Sequence, residues 1–340
     1  MNVLLIGGTR FIGYLLAWRL VAAGARVTLF NRGTIADPFG DAVERLRGDR
    51  TAPGELERAV AGRSFDAVVD FAAYYGEDVR RAVDLFGGAR GGRAGHYVFI
   101  STGQVYLVRE GCPWPAREED YDGPVMAAAP DPGDHASWDY GIGKRQCEDA
   151  LTAAFREAGF PGTSIRIPMV NGERDPYRRI EGYLRRILDG GPVLLPDGGT
   201  RRARHVYGAD VARAIARLLG DRRTFGRAYN LSQDETPTVA EIVTALADLL
   251  GAPARLVAVP SDRIPAAGLD PRQVSPFSGR WMSMLDPTLA KRELAFTHEP
   301  LRAYLDKIVT SFLAAPPPSA PEGYAGGRAA EIALARSLAS

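Results

Sequence analysis

"VLLIGGTRFIG" (Val3–Gly13) decides the architecture, because it joins an apolar run to a helical one through a glycine-bearing turn. Val3–Ile6 reads as a short buried strand, and Phe11–Ala23 places Ile12, Leu15, Leu16 and Leu20 at helical spacing. Between them Gly7 and Gly13 hold the outer positions of a G-x-x-G-x-x-G spacing, with Arg10 in the middle one. In a glycine-rich dinucleotide turn, one glycine makes the bend, one lets the backbone approach a pyrophosphate, and one allows close helix–strand packing. The helix N-terminus that follows offers unpaired N–H groups to an anion. Glycine turns are common, but this one lies directly after a first strand and before a helix, which points to dinucleotide binding.

The same alternation continues outward. Gly24 ends the first helix and Val27–Phe30 is the next strand. Ala67–Phe71 and Tyr97–Ser101 repeat the strand pattern around a helix from about Glu77 to Phe86. Asp139–Glu157 follows as a long helix and Thr163–Ile167 as a further strand. This order predicts an α/β fold, a Rossmann-type doubly wound parallel sheet with helices on both faces. After Pro168 the pattern loosens into a helix over Tyr177–Leu188 and a turn, strand and turn in "GGPVLLPDGG". Ala209–Leu219 reads as an amphipathic helix and Ala228–Leu231 as a strand. Thr238 and Glu241 have capping-box spacing for a helix ending before Gly251, and Pro287–Leu294 and Pro300–Phe312 are the last helices expected.

The organisation expected is a dinucleotide-binding domain over 1–166 with a return segment at about 203–231. A smaller C-terminal substrate-binding lobe occupies 167–202 and 232–313. After "APPPSAP" the Pro/Gly/Ala-rich residues 314–340 read as a tail that need not join the core. Leu107–Asp139, rich in Pro, Gly and acidic residues, is an insertion of the length that often carries function.

Composition narrows the function. A hydrophobic fraction of 46% and a charged fraction of 24% are those of an ordinary globular protein. A formal net charge of +1 argues against nucleic acid or an acidic membrane as partner. Two cysteines, Cys112 and Cys147, are too few for a disulfide framework, and four scattered histidines show no metal spacing. The chain opens on a strand without a basic leader and has no apolar run of membrane-spanning length, so a cytoplasmic enzyme or binding protein is expected.

The second strand ends in "TLFNRG" (28–33). A carboxylate here would accept from the adenosine ribose and disfavour a 2′-phosphate. Asn31 and Arg32 stand there instead, and Arg10 is placed to reach the same region. An asparagine does not repel phosphate and an arginine presents a planar cation suited to it, so NADP is favoured over NAD. The plainer alternative is that both arginines are solvated. Asp49 in "RGDR" is placed to meet the adenine edge, or is a turn aspartate; Phe71, Ala72 and Ala73 leave room for a cofactor, or pack the core.

The chemistry centres on "WDYGIGKRQ" (138–146). Of 42 Lys and Arg residues only Lys144, Lys291 and Lys307 are lysines, and the first stands four residues after Tyr140. A helix puts the two on one face. Tyrosine has a reference pKa of about 10 and serves as a base near neutrality only if a cation stabilises its phenolate. Lysine does this with a compact, multi-directional ammonium, where arginine offers a broad planar fork. A hydroxyl to orient the reacting oxygen is supplied by "VFISTGQVY" (98–106): Ser101 reads equally as a turn residue, and Thr102 is the choice. Glu118 and Glu119 would serve a second proton transfer, or are solvated loop charges.

Taken together, "GGTRFIG", "STGQVY", "YGIGK", "RIPMVNG" (166–172), "VYGADVARAI" (206–215) and "YNLS" (229–232) resemble the extended short-chain dehydrogenase/reductase superfamily, the NAD-dependent epimerase/dehydratase group. Arg10, "NRG" (31–33) and "GDR" (48–50) look most like its atypical branch containing chloroplast stem-loop-binding proteins. With the reading above, the resemblance implies Thr102, Tyr140 and Lys144 as the catalytic set. Expected at the cofactor are Gly7, Thr9, Arg10, Phe11, Ile12, Gly13, Asn31, Arg32, Asp49, Arg50, Phe71, Ala72, Ala73, Ser101, Tyr140, Lys144, Ile167 and Met169. Expected at the substrate are Tyr74, Gln104, Met169, Asn171, Arg202 and His205. Met169 stands where sugar-nucleotide epimerases commonly carry an asparagine, and Ala203 where a diphosphate-binding arginine is usual. A homodimer through the helix bearing Tyr140 is also implied.

The activity expected is therefore hydride transfer between NADP, or NAD, and a secondary alcohol or ketone of a small metabolite. A nucleotide-sugar epimerase or dehydratase with tightly bound cofactor is the alternative within the enzymes. Outside them stand an RNA-binding protein using Arg178, Arg179, Arg185, Arg186, Arg201, Arg202 and Arg204 as a basic rim, and a catalytically silent NADP sensor.

Overall fold

The structure is a computed structural model that describes residues 1–88 and 93–338. It divides into two compact units: Met1–Pro168 with Gly208–Ser232 and Leu285–Thr297, and Met169–Tyr207 with Gln233–Met284 and His298–Ser340.

Seven parallel strands build the first unit: β1 (Asn2–Ile6), β2 (Arg26–Asn31), β3 (Val43–Arg47), β4 (Ala67–Asp70), β5 (Tyr97–Thr102), β6 (Gly162–Ile167) and β7 (Arg227–Asn230). Their spatial order is β7-β6-β5-β4-β1-β2-β3, the doubly wound arrangement expected from the alternating pattern. Helices α1 (Phe11–Ala22) and α4 (Gly208–Leu218) pack together, as do α2 (Gly76–Phe86) and α3 (Pro132–Ala158). The central strands are largely apolar and buried because both faces are covered, and Leu4, Val68, Tyr97 and Phe99 sit in one core with Val79, Leu85, Cys147 and Leu151.

Helix α3 begins seven residues earlier than the periodicity suggests. Asp131 caps it by accepting from Gly133 N and Asp134 N at 2.9 Å each, and Pro132 takes the first helical position. Proline there starts a helix rather than breaking it, since its missing N–H would be unpaired anyway.

A buried histidine links the sheet to the end of α4. Gly220 N donates to His96 Nδ1 at 3.1 Å, so Nε2 carries the proton and donates to Thr163 Oγ1 at 2.8 Å. Thr163 passes the chain on to Thr224 O at 2.8 Å. Burial pushes the imidazole down to about 4, against the pull of Asp221.

The second unit holds two short parallel pairs, Pro192–Pro196 with Arg255–Val259 and Met169–Asn171 with His205–Tyr207, and the helices Arg179–Leu188, Val239–Leu250, Leu301–Ala314 and Glu322–Ser337. Thr238 caps Val239–Leu250 through its reciprocal pair with Glu241. Residues Leu285–Thr297, expected in the substrate lobe, belong to the first unit, where Glu293 pairs with Arg227 at 2.8 Å and accepts from Tyr229 Oη at 3.0 Å on edge strand β7.

The tail expected over 314–340 is the main correction. Glu322–Ser337 is a helix whose Glu331 is fully buried and bonds Arg186 Nη2 at 2.5 Å and Arg328 Nη1 at 2.9 Å. Arg328 in turn holds Asp189 at 2.6 Å. Proline-rich composition hid this because the anchoring partners lie about 140 positions away in sequence.

Two outcomes follow for stability. Glu331→Ala leaves the buried Arg186 guanidinium without its counter-charge and Arg328 with Asp189 alone, and should cost about 3–5 kcal/mol in urea unfolding, the range for breaking a buried pair. His96 has a folded pKa below its unfolded value of about 6.5, so its contribution is full above pH 6.5 and is lost as pH falls toward 4, amounting to about 3 kcal/mol. The His96→Gln variant should flatten that part of the stability–pH curve relative to the parent chain; an unchanged difference between pH 6.5 and 4.5 would show His96 to be silent.

Candidate active site

The turn after β1 takes the form its glycines require. Gly7 and Gly8 have φ of 91° and 85°, in the left-handed region that favours glycine. A Cβ on Gly13 would collide with Cα of Gly8, so α1 starts hard against the turn only because that side chain is hydrogen. Arg10 occupies the N-cap without a side-chain hydrogen bond, leaving the first-turn N–H groups of α1 to face an anion. Phe11 has φ of 42°, a strained value for a bulky residue, at the point where the turn becomes helix. Gly8 was the glycine that motif spacing overlooked.

Beside this turn lies a cleft of about 320 Å³ lined by Gly7, Thr9, Asn31, Arg32, Asp49, Arg50, Phe71, Ala72 and Tyr74. The structure thus brings together, from four strand ends, nine residues the sequence had nominated. Arg10, Phe11, Ile12 and Gly13 form the turn and helix start next to it, with Ile12 and Gly13 buried. Asn31 Oδ1 accepts from Gly33 N at 2.9 Å and from Arg47. Arg32 is exposed and lies 3.9 Å from Asp49. Asp49 accepts from the hydroxyl and backbone N–H of Thr51, which hold its carboxyl below the usual range. Arg50 borders the cleft, yet its guanidinium is buried against Asp70 and donates to Asp78 O at 2.8 Å. Its charge is thus matched within the protein.

Asp70, which sequence reading passed over, organises the next loop. It accepts from Ala72 N at 2.8 Å, Ala73 N at 3.0 Å and Tyr97 Oη at 2.7 Å, as well as from Arg50. That arrangement turns the carbonyl of Ala73 toward α3. Lys144 Nζ donates to it at 2.9 Å and to Ile100 O on β5 at 2.7 Å. Phe99 lies under the ammonium at 4.4 Å, and the rings of Tyr74 and Tyr140 at 5.4 and 6.0 Å. Burial pushes the Lys144 ammonium down to about 8, while the carboxylates of Asp70 and Glu148 pull it up. The thiol of Cys147 is itself raised by burial, to about 12, and so is protonated at neutral pH.

Two helical glycines make this reach available. A Cβ on Gly143 would strike the carbonyl oxygen of Tyr74, and one on Gly141 would come within 2.7 Å of Val108 Cγ1. Each mid-helix glycine costs about 1 kcal/mol against alanine, so a pair in one turn is a sequence signal for close approach. Tyr140 is half-buried, its ring centroid 6.1 Å from that of Tyr74, which is itself 52% exposed. Thr102 ends β5, two residues past the Ile100 carbonyl that holds Lys144; its Oγ1 accepts from Gln104 N at 3.2 Å. Gln104 Nε2 donates to Ser137 O on α3 at 2.7 Å. Ile167 pairs with Thr102 across β5 and β6.

The hydroxyl of Ser101 donates to Glu148, one turn beyond Lys144, so its side chain belongs to the interior. Glu148 is clasped by Arg166, with Nη2 at 2.6 Å, and Arg166 Nη1 reaches Tyr106 Oη at 2.5 Å. Neither Glu148 nor Arg166 was foreseen, though a carboxylate on the buried stripe of a helix and an arginine inside an apolar strand are the signs of such a pair. Glu118 accepts from Asn230 N at 2.7 Å and lines a separate cleft of about 330 Å³ with Asp149, Arg156 and Arg227; Glu119 is exposed. A role for these glutamates in a second proton transfer finds no support in that placement.

The remaining nominated residues lie in the second unit. Met169 and His205 are paired across their strands, and Asn171 Nδ2 donates to His205 Nδ1 at 2.7 Å. Both Asn171 and His205 are buried, and burial pushes the imidazole down to about 3. Arg202 is exposed and donates to Thr236 O at 2.8 Å. The basic rim envisaged for RNA is largely neutralised: Arg178 and Arg185 pair with Glu181, Arg179 pairs with Asp175, and Arg186 is buried on Glu331. Among the described residues no cluster of side chains would hold a metal ion, and no helix is long and apolar enough to cross a membrane.

Comparison with known proteins bears on the family and the fold. Residues 3–232 match the model of the NAD dependent epimerase/dehydratase family. The chloroplast stem-loop binding protein of 41 kDa b of Arabidopsis thaliana is 27% identical over 266 residues, 74% of this chain but only 64% of that protein's length. The 2'-dehydrokanamycin reductase of Streptomyces kanamyceticus is 25% identical over 86% of this chain and 78% of its own. Among solved structures, dTDP-glucose 4,6-dehydratase from Bacillus anthracis in complex with NAD has a TM-score of 0.72 at 18% identity, covering 93% of this chain and 97% of its own. UDP-glucose 4-epimerase from Thermotoga maritima with UDP-glucose has a TM-score of 0.69 at 21% identity, covering 92% and 99%. At such identities these last two show a shared fold.

Close approach of α3 can be tested directly. Gly143→Ala should destabilise the protein by about 1–3 kcal/mol in chemical unfolding despite alanine's better helix propensity, because the methyl group meets backbone. A gain in stability would mean that α3 does not approach Tyr74 as closely as described.

Proposed function

The chain belongs to the NAD dependent epimerase/dehydratase family, and from that premise we propose that it is an NADP-preferring oxidoreductase. It interconverts a secondary alcohol and a ketone on a small metabolite, with Thr102, Tyr140 and Lys144 as its catalytic set. The observation that carries this reading is the Lys144 ammonium, buried beside the Tyr140 ring and held by the carbonyls of Ala73 and Ile100.

The cleft suits a dinucleotide on its own chemistry. Left-handed Gly7 and Gly8 leave no side chain in the way of a pyrophosphate, and the uncapped start of α1 presents N–H groups to it. Asn31 and Arg32 line the far end, where β2 itself ends without the carboxylate that would oppose a 2′-phosphate, and Asp49 lies 3.9 Å from Arg32. When bound, the nicotinamide supplies or accepts the hydride.

Within the protein, Tyr140 gives a proton to the substrate oxygen during reduction and takes it back during oxidation. A cation near a phenol favours the phenolate and brings the proton into exchange closer to neutral pH. Lys144 has three N–H donors, two of which are directed to the carbonyls of Ala73 and Ile100, leaving a third for a ligand hydroxyl. Thr102 orients the reacting oxygen toward Tyr140, and exposed Tyr74 offers a ring face to the substrate.

A second reading, a nucleotide-sugar epimerase or dehydratase, draws on the fold shared with a dTDP-glucose 4,6-dehydratase crystallised with NAD and a UDP-glucose 4-epimerase crystallised with UDP-glucose. Against it stand Met169 and Ala203, where the family resemblance would have an asparagine and a diphosphate-binding arginine, although Arg202 and Arg204 flank Ala203. The two separate cleanly by nicotinamide absorbance. A reductase consumes NADPH one-for-one with its ketone, while an epimerase regenerates the cofactor and shows no net change.

Tyr140→Phe should lower turnover by about 10²–10⁴-fold, the range for removing a general acid–base group, and leave the NADPH dissociation constant within twofold. Undiminished turnover by that variant, with any ketone the parent chain reduces, would remove the proton-transfer assignment.

A further inference from the structure

Beside the end of the cleft, against Asn31 and Gly33 of its lining, stands a residue that motif reading did not nominate. Strands β2 and β3 pair in register so that Asn31 lies opposite Arg47 at their C-terminal ends. The Arg47 guanidinium donates to Asn31 Oδ1, which also accepts from Gly33 N at 2.9 Å. These two donors set the amide's orientation, since the reversed amide would place N–H against N–H. The consequence is that Asn31 offers the cleft no free acceptor. Its Nδ2 is enclosed and has no hydrogen-bond partner among the described residues.

Room for Arg47 is made by Gly33. That residue has φ of 75°, and a Cβ on it would sit 3.1 to 3.3 Å from Nε, Cδ and Cζ of Arg47. The neighbouring Arg45 is paired with Asp37 at 2.5 Å, whereas no carboxylate lies within ion-pair distance of Arg47 among the described residues. Exposed Arg32 lines the same end. Asp49, also on the rim, faces the hydroxyl and N–H of Thr51 and balances one of the two cations, leaving this end with a net positive charge.

An end whose amide acceptor is already taken and which carries one cation more than its carboxylate suits a group that is all acceptor and doubly negative; a ribose hydroxyl, which must also donate, gains less there. We propose that Arg47, with Arg32, binds a phosphate monoester on the adenosine ribose, so that Arg47 discriminates NADP from NAD. The inference rests on the dinucleotide reading of the cleft and adds the residue that sets its specificity. A planar fork holds phosphate with two parallel N–H bonds, which lysine cannot reproduce.

The test measures dissociation constants of NADPH and NADH by fluorescence titration of the full chain, its Arg47→Ala and Arg47→Lys variants, and 2′-AMP, 5′-AMP and inorganic phosphate as competitors. Losing a charge-assisted phosphate contact is expected to weaken NADPH by about 10–100-fold in Arg47→Ala. NADH should stay within threefold, Arg47→Lys should fall between, and 2′-AMP should compete better than 5′-AMP or phosphate only in the parent chain. Circular dichroism and melting of Arg47→Ala should match the parent, as the side chain is exposed. If both dinucleotides bind and Arg47→Ala leaves their ratio unchanged, or weakens both alike, the specificity role is overturned while the dinucleotide site stands. If the parent chain binds neither, the dinucleotide reading itself falls, and this inference with it.

Discussion

A buried ammonium is the constraint around which the first unit is arranged. Lys144 is 3% exposed, and a cation in that position must be matched or it loses its proton. The protein matches it with the carbonyls of Ala73 and Ile100 and with aromatic faces, and each requirement reaches further into the fold. The Ala73 carbonyl points inward because Asp70 holds the backbone N–H groups of Ala72 and Ala73. Asp70 in turn is neutralised by Arg50, whose other partner is the carbonyl of Asp78. Helix α3 delivers the lysine only because Gly141 and Gly143 let it approach the loops from both sides.

Around this centre the buried charges are paired in linked sets, and the sets explain why certain nominated residues serve the scaffold. Ser101, Glu148, Arg166 and Tyr106 form one chain behind β5, one helical turn from Lys144. Removing a member would strand its neighbours in a medium of low polarity, so these side chains are held in single orientations. Fixed positions behind the strand give Thr102 a rigid base, and the proposed reading assigns ligand chemistry to the front edge: Thr102, Tyr140, Tyr74 and the glycine turn.

The cleft beside that turn shows the opposite electrostatic state. Arg32 and Arg47 have one rim carboxylate between them, and the Oδ1 of Asn31 is already taken by Arg47 and Gly33 N. Protein interiors avoid such imbalance, whereas sites that receive anions are built from it. The contrast between a scaffold in which charges are cancelled and a rim in which they are not is what separates Arg50 from Arg47, three positions apart in the chain.

Local pattern was enough to determine the parallel sheet, the glycine turn after β1, the capping of Val239–Leu250 and the Tyr140–Lys144 pair. Each depends on spacings within one strand or one helical turn, where side-chain direction follows from backbone periodicity. What tertiary structure decided is which polar residue faces which. Arg50 turned inward to Asp70, twenty positions on, and Arg47 reached Asn31 because β2 and β3 pair in one register and not another. Glu331 drew a proline-flanked segment onto Arg186 from 145 positions away. Sequence spacing carries no trace of such pairings, since a buried charge finds its partner through strand register and helix packing, and those exist only once the chain has folded.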